Sequence, residues 1–293
     1  MAGKRLPGWL RKKDPIQREM MQTRRLLKDL ELNTVCQNAR CPNIGECYSR
    51  DTATFMILGE SCTRSCRFCA VSQAPPRKVD LTEPNKLAMA VIRLDLEHVV
   101  ITSVTRDDLP LGGAKQFVRV IKTLRAAKPD ITVEILTPDF QLNPEAISKI
   151  IEVAPDVFNH NIETVPSLYD KVRPEAEYDR SLQLLNKMSQ AEKDIVIKSG
   201  LMLGLGETEK QLIAVWKDLL EAGCQILTMG QYLQPTSENL PVEEYIEPER
   251  FARLEQRALD LGFEKVIAGP YVRSSYLAEE SSTEIINNKR TGK

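Results

Sequence analysis

The 293-residue chain contains only two histidines, His98 and His160, and its 40 basic and 41 acidic side chains leave a formal net charge of −1. So few imidazoles offer little to a zinc site built on histidine. The near-neutral balance argues against a general nucleic-acid binder. Apolar runs such as "FMIL" and "HVVI" are strand-sized, far short of the roughly 20 residues needed to span a bilayer. No low-complexity segment occurs. The first 32 residues carry nine Lys or Arg against four acidic residues, lack an apolar h-region and are interrupted by Asp14 and Glu19. Neither a secretory signal nor a typical transit peptide fits. The expectation is a cytoplasmic chain with no membrane and no nucleic-acid partner. Its basic start reads as a solvated arm or helix face, or as a docking segment for an acidic protein.

What is abundant is local. Six of the seven cysteines fall within residues 36–73, as the triplets Cys36, Cys41, Cys47 and Cys62, Cys66, Cys69. A chain of this length buries a core without disulfide staples, and disulfide scaffolds are short and cysteine-dense throughout. Metal binding is therefore the favoured reading. Structural zinc wants four closed ligands, whereas CxxxCxxC supplies three thiolates on one tight loop. An iron–sulfur cubane has four irons, so three thiolates leave one iron open to something other than a fixed side chain. The amino and carboxylate groups of S-adenosylmethionine are able to chelate such an iron.

After the cysteines, apolar β-rich runs alternate with amphipathic stretches: "ATFMIL", "HVVITSV", "TVEILT", "VFNHNIE", "IVIKSGLML" and "QILTMGQYL". Between them Phe117, Val120, Ile121 and Leu124 recur at helical spacing, as do Leu212, Trp216, Leu219 and Leu220. Asn143 before Pro144 reads as an N-cap and first helical residue, and Pro248 opens a helix carrying Phe251, Leu254, Ala258 and Leu261. Six such units predict parallel strands with helical crossovers, an α/β fold of the partial (β/α)6 TIM-like barrel type. Residues 51–262 form the expected barrel, residues 1–50 an amino-terminal extension with the first triplet, and residues 263–293 a carboxy-terminal segment. Active-site loops follow strand ends in this architecture, and Cys62, Cys66 and Cys69 follow "ATFMIL".

"CTRSCRFC" in this position resembles the signature of the radical S-adenosylmethionine superfamily, with Phe68 at the aromatic position. Together with "CPNIGEC", "ITSVTRDDLPLGGA", "NHNIETVP", "GLMLGLGE" and the terminal "VRSSY", it is similar to the lipoyl synthases from about Cys36 to Tyr276. The resemblance implies two [4Fe–4S] clusters and S-adenosylmethionine. Cys62, Cys66 and Cys69 match the ligands of the radical-generating cluster. Cys36, Cys41 and Cys47 match those of an auxiliary cluster completed by a serine, here Ser275, with Ser274 as the neighbouring alternative and Cys224 as a rival fourth ligand. It also implies insertion of two sulfur atoms at carbons 6 and 8 of a protein-bound octanoyl chain. The carrier would be an octanoylated lipoyl domain or a glycine-cleavage H-type protein, with an electron donor such as ferredoxin or flavodoxin.

Strand ends nominate Thr102, Ser103, Asn161, Glu163 and Arg173 as contacts of S-adenosylmethionine. Arg173 is suited to its carboxylate, or equally to an ordinary surface ion pair. Gly204 and Gly206 are compatible with close backbone approach to the cofactor or with a plain turn. Phe68 suits packing as well as cofactor contact.

Overall fold

The structure, a computed structural model, describes residues 6–11 and 17–291. Lys4, Arg5, Lys12 and Lys13 of the basic amino-terminal segment lie outside the described residues. Seven strands form one parallel sheet in sequential order: β1 Thr54–Ile57, β2 His98–Ser103, β3 Thr132–Leu136, β4 Val157–Asn159, β5 Val196–Leu203, β6 Ile226–Gln231 and β7 Lys265–Gly269. The sheet is an open, barrel-like wall. The helices are α1 Gln17–Asp29, α2 Val35–Asn38, α3 Ile44–Ser49, α4 Glu83–Arg93, α5 Ala114–Ala127, α6 Pro144–Val153, α7 Tyr169–Val172, α8 Tyr178–Ser189, α9 Glu209–Glu221, α10 Pro248–Leu261 and α11 Ala278–Thr291.

The six expected strands are present, and β7 extends the expected six-unit wall by one strand. β7 lies in the segment read from sequence as a carboxy-terminal extension. The helix signals behave as their chemistry requires. Asn143 accepts hydrogen bonds from the backbone N–H groups of Glu145 and Ala146, with Pro144 at the first helical position of α6. Phe117, Val120, Ile121 and Leu124 of α5 are fully buried, and so are Phe251, Leu254 and Ala258 of α10. Leu261, counted with the α10 stripe, is instead 37% exposed at the helix end.

Register sets the interior. Met56, Thr102 and Leu136 are ladder partners across β1, β2 and β3 and so point to one face. Alternate residues of β5 climb that face. Val196 packs with Ile285 and Ile286 of α11, Lys198 forms a buried ion pair with Glu134 at 3.0 Å, and Gly200 and Met202 line a cavity. The last helix thus covers the N-terminal ends of the strands, and the cavity lies toward their C-terminal ends, where βα loops converge. Among the described residues, no helix is long and apolar enough to cross a membrane.

Candidate active site

The loop after β1 is held from several directions. Arg64, only 7% exposed, reaches Asp107 at 2.7 Å and Asp139 at 2.6 Å. Burial works against the Asp139 carboxylate, but hydrogen bonds and charge from Arg64 hold its carboxyl well below the usual range. Backbone N–H groups tie down the rest: Cys62 to Ser72 O at 2.8 Å, Thr63 to Thr105 O at 3.0 Å, and Arg67 to Val172 O at 2.9 Å. The Glu175 carboxylate accepts from Ser65 N at 2.7 Å, and Asn239 Nδ2 donates to Cys69 O at 2.9 Å. Cys62 Sγ accepts from the N–H groups of Thr105 and Arg64 at 3.4 and 3.5 Å. Such contacts to sulfur tune the potential of a bound cluster.

The other triplet is built from short pieces. Thr34 caps α2, and its hydroxyl also meets the buried Tyr48 hydroxyl of α3 at 2.7 Å. Cys36 sits on α2, Cys47 on α3 and Cys41 between them. The segment after β7 crosses over these pieces. Asn43 Nδ2 donates to Tyr271 O at 2.7 Å, and Tyr276 Oη donates to Glu46 Oε1 at 2.8 Å. The adjacent serines diverge. Thr54 Oγ1 donates to Ser275 Oγ at 2.8 Å, whereas Ser274 Oγ donates to Asn161 Oδ1 at 2.8 Å. Thr54 begins β1, whose next residue, Phe55, bridges to Thr34 at the head of α2, so Ser275 lies on the side of the first triplet and Ser274 faces the end of β4. Gly230 lets this segment approach, since a Cβ there would stand 2.0 Å from Val272 O.

All six clustered cysteines are free and line one cavity of about 480 Å³, together with Phe68, Thr102, Ser103, Asn161, Glu163, Arg173, Ser274 and Ser275. Burial pushes the Cys66 thiol up to about 12, partly offset by the Arg173 charge, and pushes those of Cys69 and Cys36 up to about 11. Buried thiols of this kind become thiolates only with a cation to receive them, as cluster iron does. Two groups of three soft donors on one cavity fit two cubanes, each with a corner left for another ligand. Cys224 is buried elsewhere, its thiol donating to Ile226 O at 3.2 Å, and does not line the cavity.

The nominated contacts divide by what their polar atoms already do. Thr102 Oγ1 donates to Leu136 O at 3.0 Å. Ser103 Oγ and Arg173 Nε are buried without a hydrogen-bond partner, the signature of groups waiting for a ligand. Arg173 is 8% exposed, which removes the surface ion-pair reading. Its Nη1 holds the carbonyls of Asn161 and Ile162 at 2.9 and 3.3 Å, and its guanidinium lies 5.4 Å from the Tyr169 ring centre. Asn161 Nδ2 donates to Glu163 Oε1 at 3.0 Å, and Glu163 has a left-handed φ of 66°. A non-glycine residue held there is strained, a frequent mark of ligand sites. Burial raises the Glu163 carboxyl against the opposing charge of Arg173. Phe68 lines the cavity and also packs with Val172, Leu205 and Tyr232, as the packing reading requires.

Gly204 and Gly206 do not line the cavity. They form a turn whose N–H groups at Gly204 and Leu205 donate to Glu207 at 2.6 and 2.9 Å. Residues missed from sequence include Gly200 and Gly230, for which a glycine inside a strand was the available cue, and Arg273. His160 was counted only as a sparse metal donor. Its two ring nitrogens meet Thr137 O at 2.8 Å and Ser181 Oγ at 3.0 Å, so it braces the cavity wall.

An open parallel barrel with a three-thiol loop at the end of its first strand defines a class, and residues 56–219 match the sequence model of the Radical SAM superfamily. The crystal structure of Streptococcus suis SuiB bound to S-adenosylmethionine shares the fold, with a TM-score of 0.58 at 13% identity over 85% of this chain and 60% of that one. So does methylornithine synthase (PylB), with a TM-score of 0.53 at 12% identity over 93% and 92% of the two chains. Sequence similarity goes further. The chain is 52% identical to a lipoyl synthase of Caldanaerobacter subterraneus subsp. tengcongensis over 94% of its length and 96% of that protein. It is 53% identical to a lipoyl synthase of Desulfotalea psychrophila over 94% and 92% of the two chains. The chain belongs to the lipoyl synthase family of the radical SAM superfamily. Its activity is that of a sulfur-inserting radical enzyme, with S-adenosylmethionine and [4Fe–4S] clusters as cofactors.

Proposed function

We propose that the two triplets divide one reaction, the insertion of two sulfur atoms at carbons 6 and 8 of an octanoyl chain carried on a protein lysine. The observation that carries this reading is the shared cavity: both sets of thiols and both serines open onto the same space. Cys62, Cys66 and Cys69 hold the radical-generating cluster, and Cys36, Cys41, Cys47 and Ser275 hold the auxiliary one. When bound, these groups supply reductive cleavage of S-adenosylmethionine, hydrogen abstraction from an unactivated carbon and the sulfur that replaces it.

The chain's own residues supply position and exclusion of water. Ser103, Asn161, Glu163 and Arg173 are proposed to grip S-adenosylmethionine, with Phe68 and Thr102 as walls. Arg173 has a double task, since it fixes the backbone turn at Asn161 while its buried Nε is left for a ligand. Glu163 and Asn161 suit a cationic amino group, and Arg173 suits a carboxylate. Segment 1–50 brings the first triplet, 51–262 the reaction chamber and 263–293 the serine. We assign as carrier an octanoylated lipoyl domain or an H-type protein, as reductant a ferredoxin or flavodoxin, and as compartment the cytoplasm.

The decisive experiment is anaerobic incubation of the reconstituted chain with S-adenosylmethionine, dithionite and an octanoylated carrier peptide, followed by mass spectrometry. A gain of two sulfur atoms with release of 5′-deoxyadenosine is expected. Deoxyadenosine without sulfur gain would overturn the assigned substrate while keeping the radical chemistry.

A further inference from the structure

The turn that launches the cysteine loop from β1 passes through a residue in a conformation its side chain disfavours. β1 ends at Ile57, and the next residue, the buried Leu58, has a left-handed φ of 70°. A leucine side chain offers no local hydrogen bond to stabilise that backbone, whereas glycine takes it without steric cost. Gly59 follows at a φ of 91°, and Cys62, the first thiol of the loop, lies three residues further on. Outliers of this kind persist only where the surroundings over-determine them, and they gather at functional sites.

The surroundings of Leu58 grip it from three elements. Its N–H donates to both carboxylate oxygens of Glu83, each at 3.2 Å, and its carbonyl accepts from Arg106 Nη1 at 3.3 Å. Both partners are buried and are themselves fixed. Glu83 opens α4 and accepts from Gln116 Nε2 of α5 at 2.9 Å, while Arg106 Nε and Nη2 each donate to Asp108 at 2.8 Å. Gly113, at the head of α5, makes room for the Leu58 side chain, since a Cβ there would stand 2.3 Å from Leu58 Cδ1. Neither Leu58, Glu83 nor Arg106 lines the cavity, so contact with a ligand does not explain them. We infer that Glu83 and Arg106 are positioning residues, which hold Leu58 as a strained pivot and so aim the three-thiol loop into the cavity. The inference rests on the reading that Cys62, Cys66 and Cys69 hold the radical-generating cluster.

The test uses a Cys36→Ala, Cys41→Ala, Cys47→Ala chain, expected to take up about four irons, one cubane. Two quantities are read: hydrogen exchange of residues 58–73 in the iron-free chain, and the rate of iron loss to a chelator after reconstitution. Glu83→Leu is expected to open the segment about tenfold more often, the worth of one left-handed residue left unsupported, and to speed iron loss. Adding Leu58→Gly to Glu83→Leu is expected to restore both quantities, because glycine keeps the left-handed turn unaided, whereas adding Leu58→Ala is not. The two added substitutions remove nearly the same side chain, so packing alone does not separate them. Equal behaviour of the two double variants overturns the inference. So does a segment that opens yet keeps its iron as firmly as before, since the pivot would then not position the ligands. Loss of folding in Glu83→Leu supports the role if Leu58→Gly restores the fold and overturns it otherwise. A background chain that takes up no iron overturns the cluster reading and this role with it, whereas unchanged exchange in Glu83→Leu overturns the positioning role alone.

Discussion

The two thiol triplets sit on the same cavity but are made in opposite ways. Cys62, Cys66 and Cys69 belong to a single loop on a strand end, clamped by the buried Arg64 and Asp139, the half-buried Asp107 and backbone bonds to three further segments. Cys36 and Cys47 sit on two short helices outside the sheet with Cys41 between them, fastened by hydrogen bonds to a segment more than two hundred residues away, such as Asn43 to Tyr271 and Tyr276 to Glu46. One site is part of the scaffold; the other is assembled from the two ends of the chain. On the proposed roles, the site that delivers electrons would benefit from rigid ligands, and the one that gives up sulfur from a ligand set that opens.

The comparison breaks most visibly at the cysteines. Alanine at Cys62, Cys66 or Cys69 is expected to abolish deoxyadenosine formation. Alanine at Cys36, Cys41 or Cys47 is expected to leave that cleavage measurable and eliminate sulfur gain in the peptide. Equal loss of cleavage from both sets in folded protein would merge the two roles.

The serines sharpen it further. Iron in a sulfide cluster favours soft thiolate, so an alkoxide corner leaves more readily. Ser275→Cys should retain both clusters while slowing single-turnover sulfur transfer, and Ser275→Ala should impair transfer by exposing one iron. Ser274, which points to Asn161, should give milder effects. Normal transfer in Ser275→Ala together with loss of the auxiliary cluster in Cys224→Ala would move the fourth ligand to Cys224.

Stability should show the same asymmetry. Arg64→Met takes the guanidinium from Asp107 and from the fully buried Asp139, which keeps Arg180 at 2.8 Å, and is expected to cost about 3 kcal/mol in denaturant unfolding. Tyr276→Phe removes one hydrogen bond, should cost about 1 kcal/mol and should lower the iron content of the auxiliary site selectively. An equal global cost for both would remove the distinction between scaffold and strap.

A smaller effect is tied to pH. Burial, followed by the Arg173 charge, lowers His160 to about 4 from an ordinary 6.5. The unfolded chain therefore binds the extra proton between these values, and stability falls as pH drops from about 6.5 toward 4. The loss is at most about 3 kcal/mol. His160→Gln should flatten that slope in unfolding measured across the range. The smallest change is expected for Cys224→Ala, about 1 kcal/mol of packing with both clusters retained, read by iron content and melting.

Much of this was legible in the chain because it is local. The six apolar runs, the Asn143 cap and the position of CxxxCxxC after β1 depend on neighbours a few residues apart. β7 reads as tail in the sequence because "KVIAG" is short, opens on Lys265 and closes on Ala268 and Gly269, a pattern too weak for a buried parallel strand. What spacing could not reveal is which distant polar groups meet. Arg64 finds Asp139 across 75 residues and Thr54 finds Ser275 across 221, and no periodicity links such partners. The rival readings of Arg173 were likewise separable only by burial.

The segment bearing Ser275 is tethered at both ends, by β7 up to Gly269 and by α11 from Ala278. Short loops closed on both sides keep their members at high effective concentration, because little chain entropy is regained when one contact breaks. In the proposed ligand role, the Ser275 oxygen would remain a near neighbour of the cluster corner it holds. Its return would be unimolecular and insensitive to protein concentration. α11, which covers the bottom of the sheet and pairs Glu280 with Arg50 beside α3, would thereby keep the proposed ligand close.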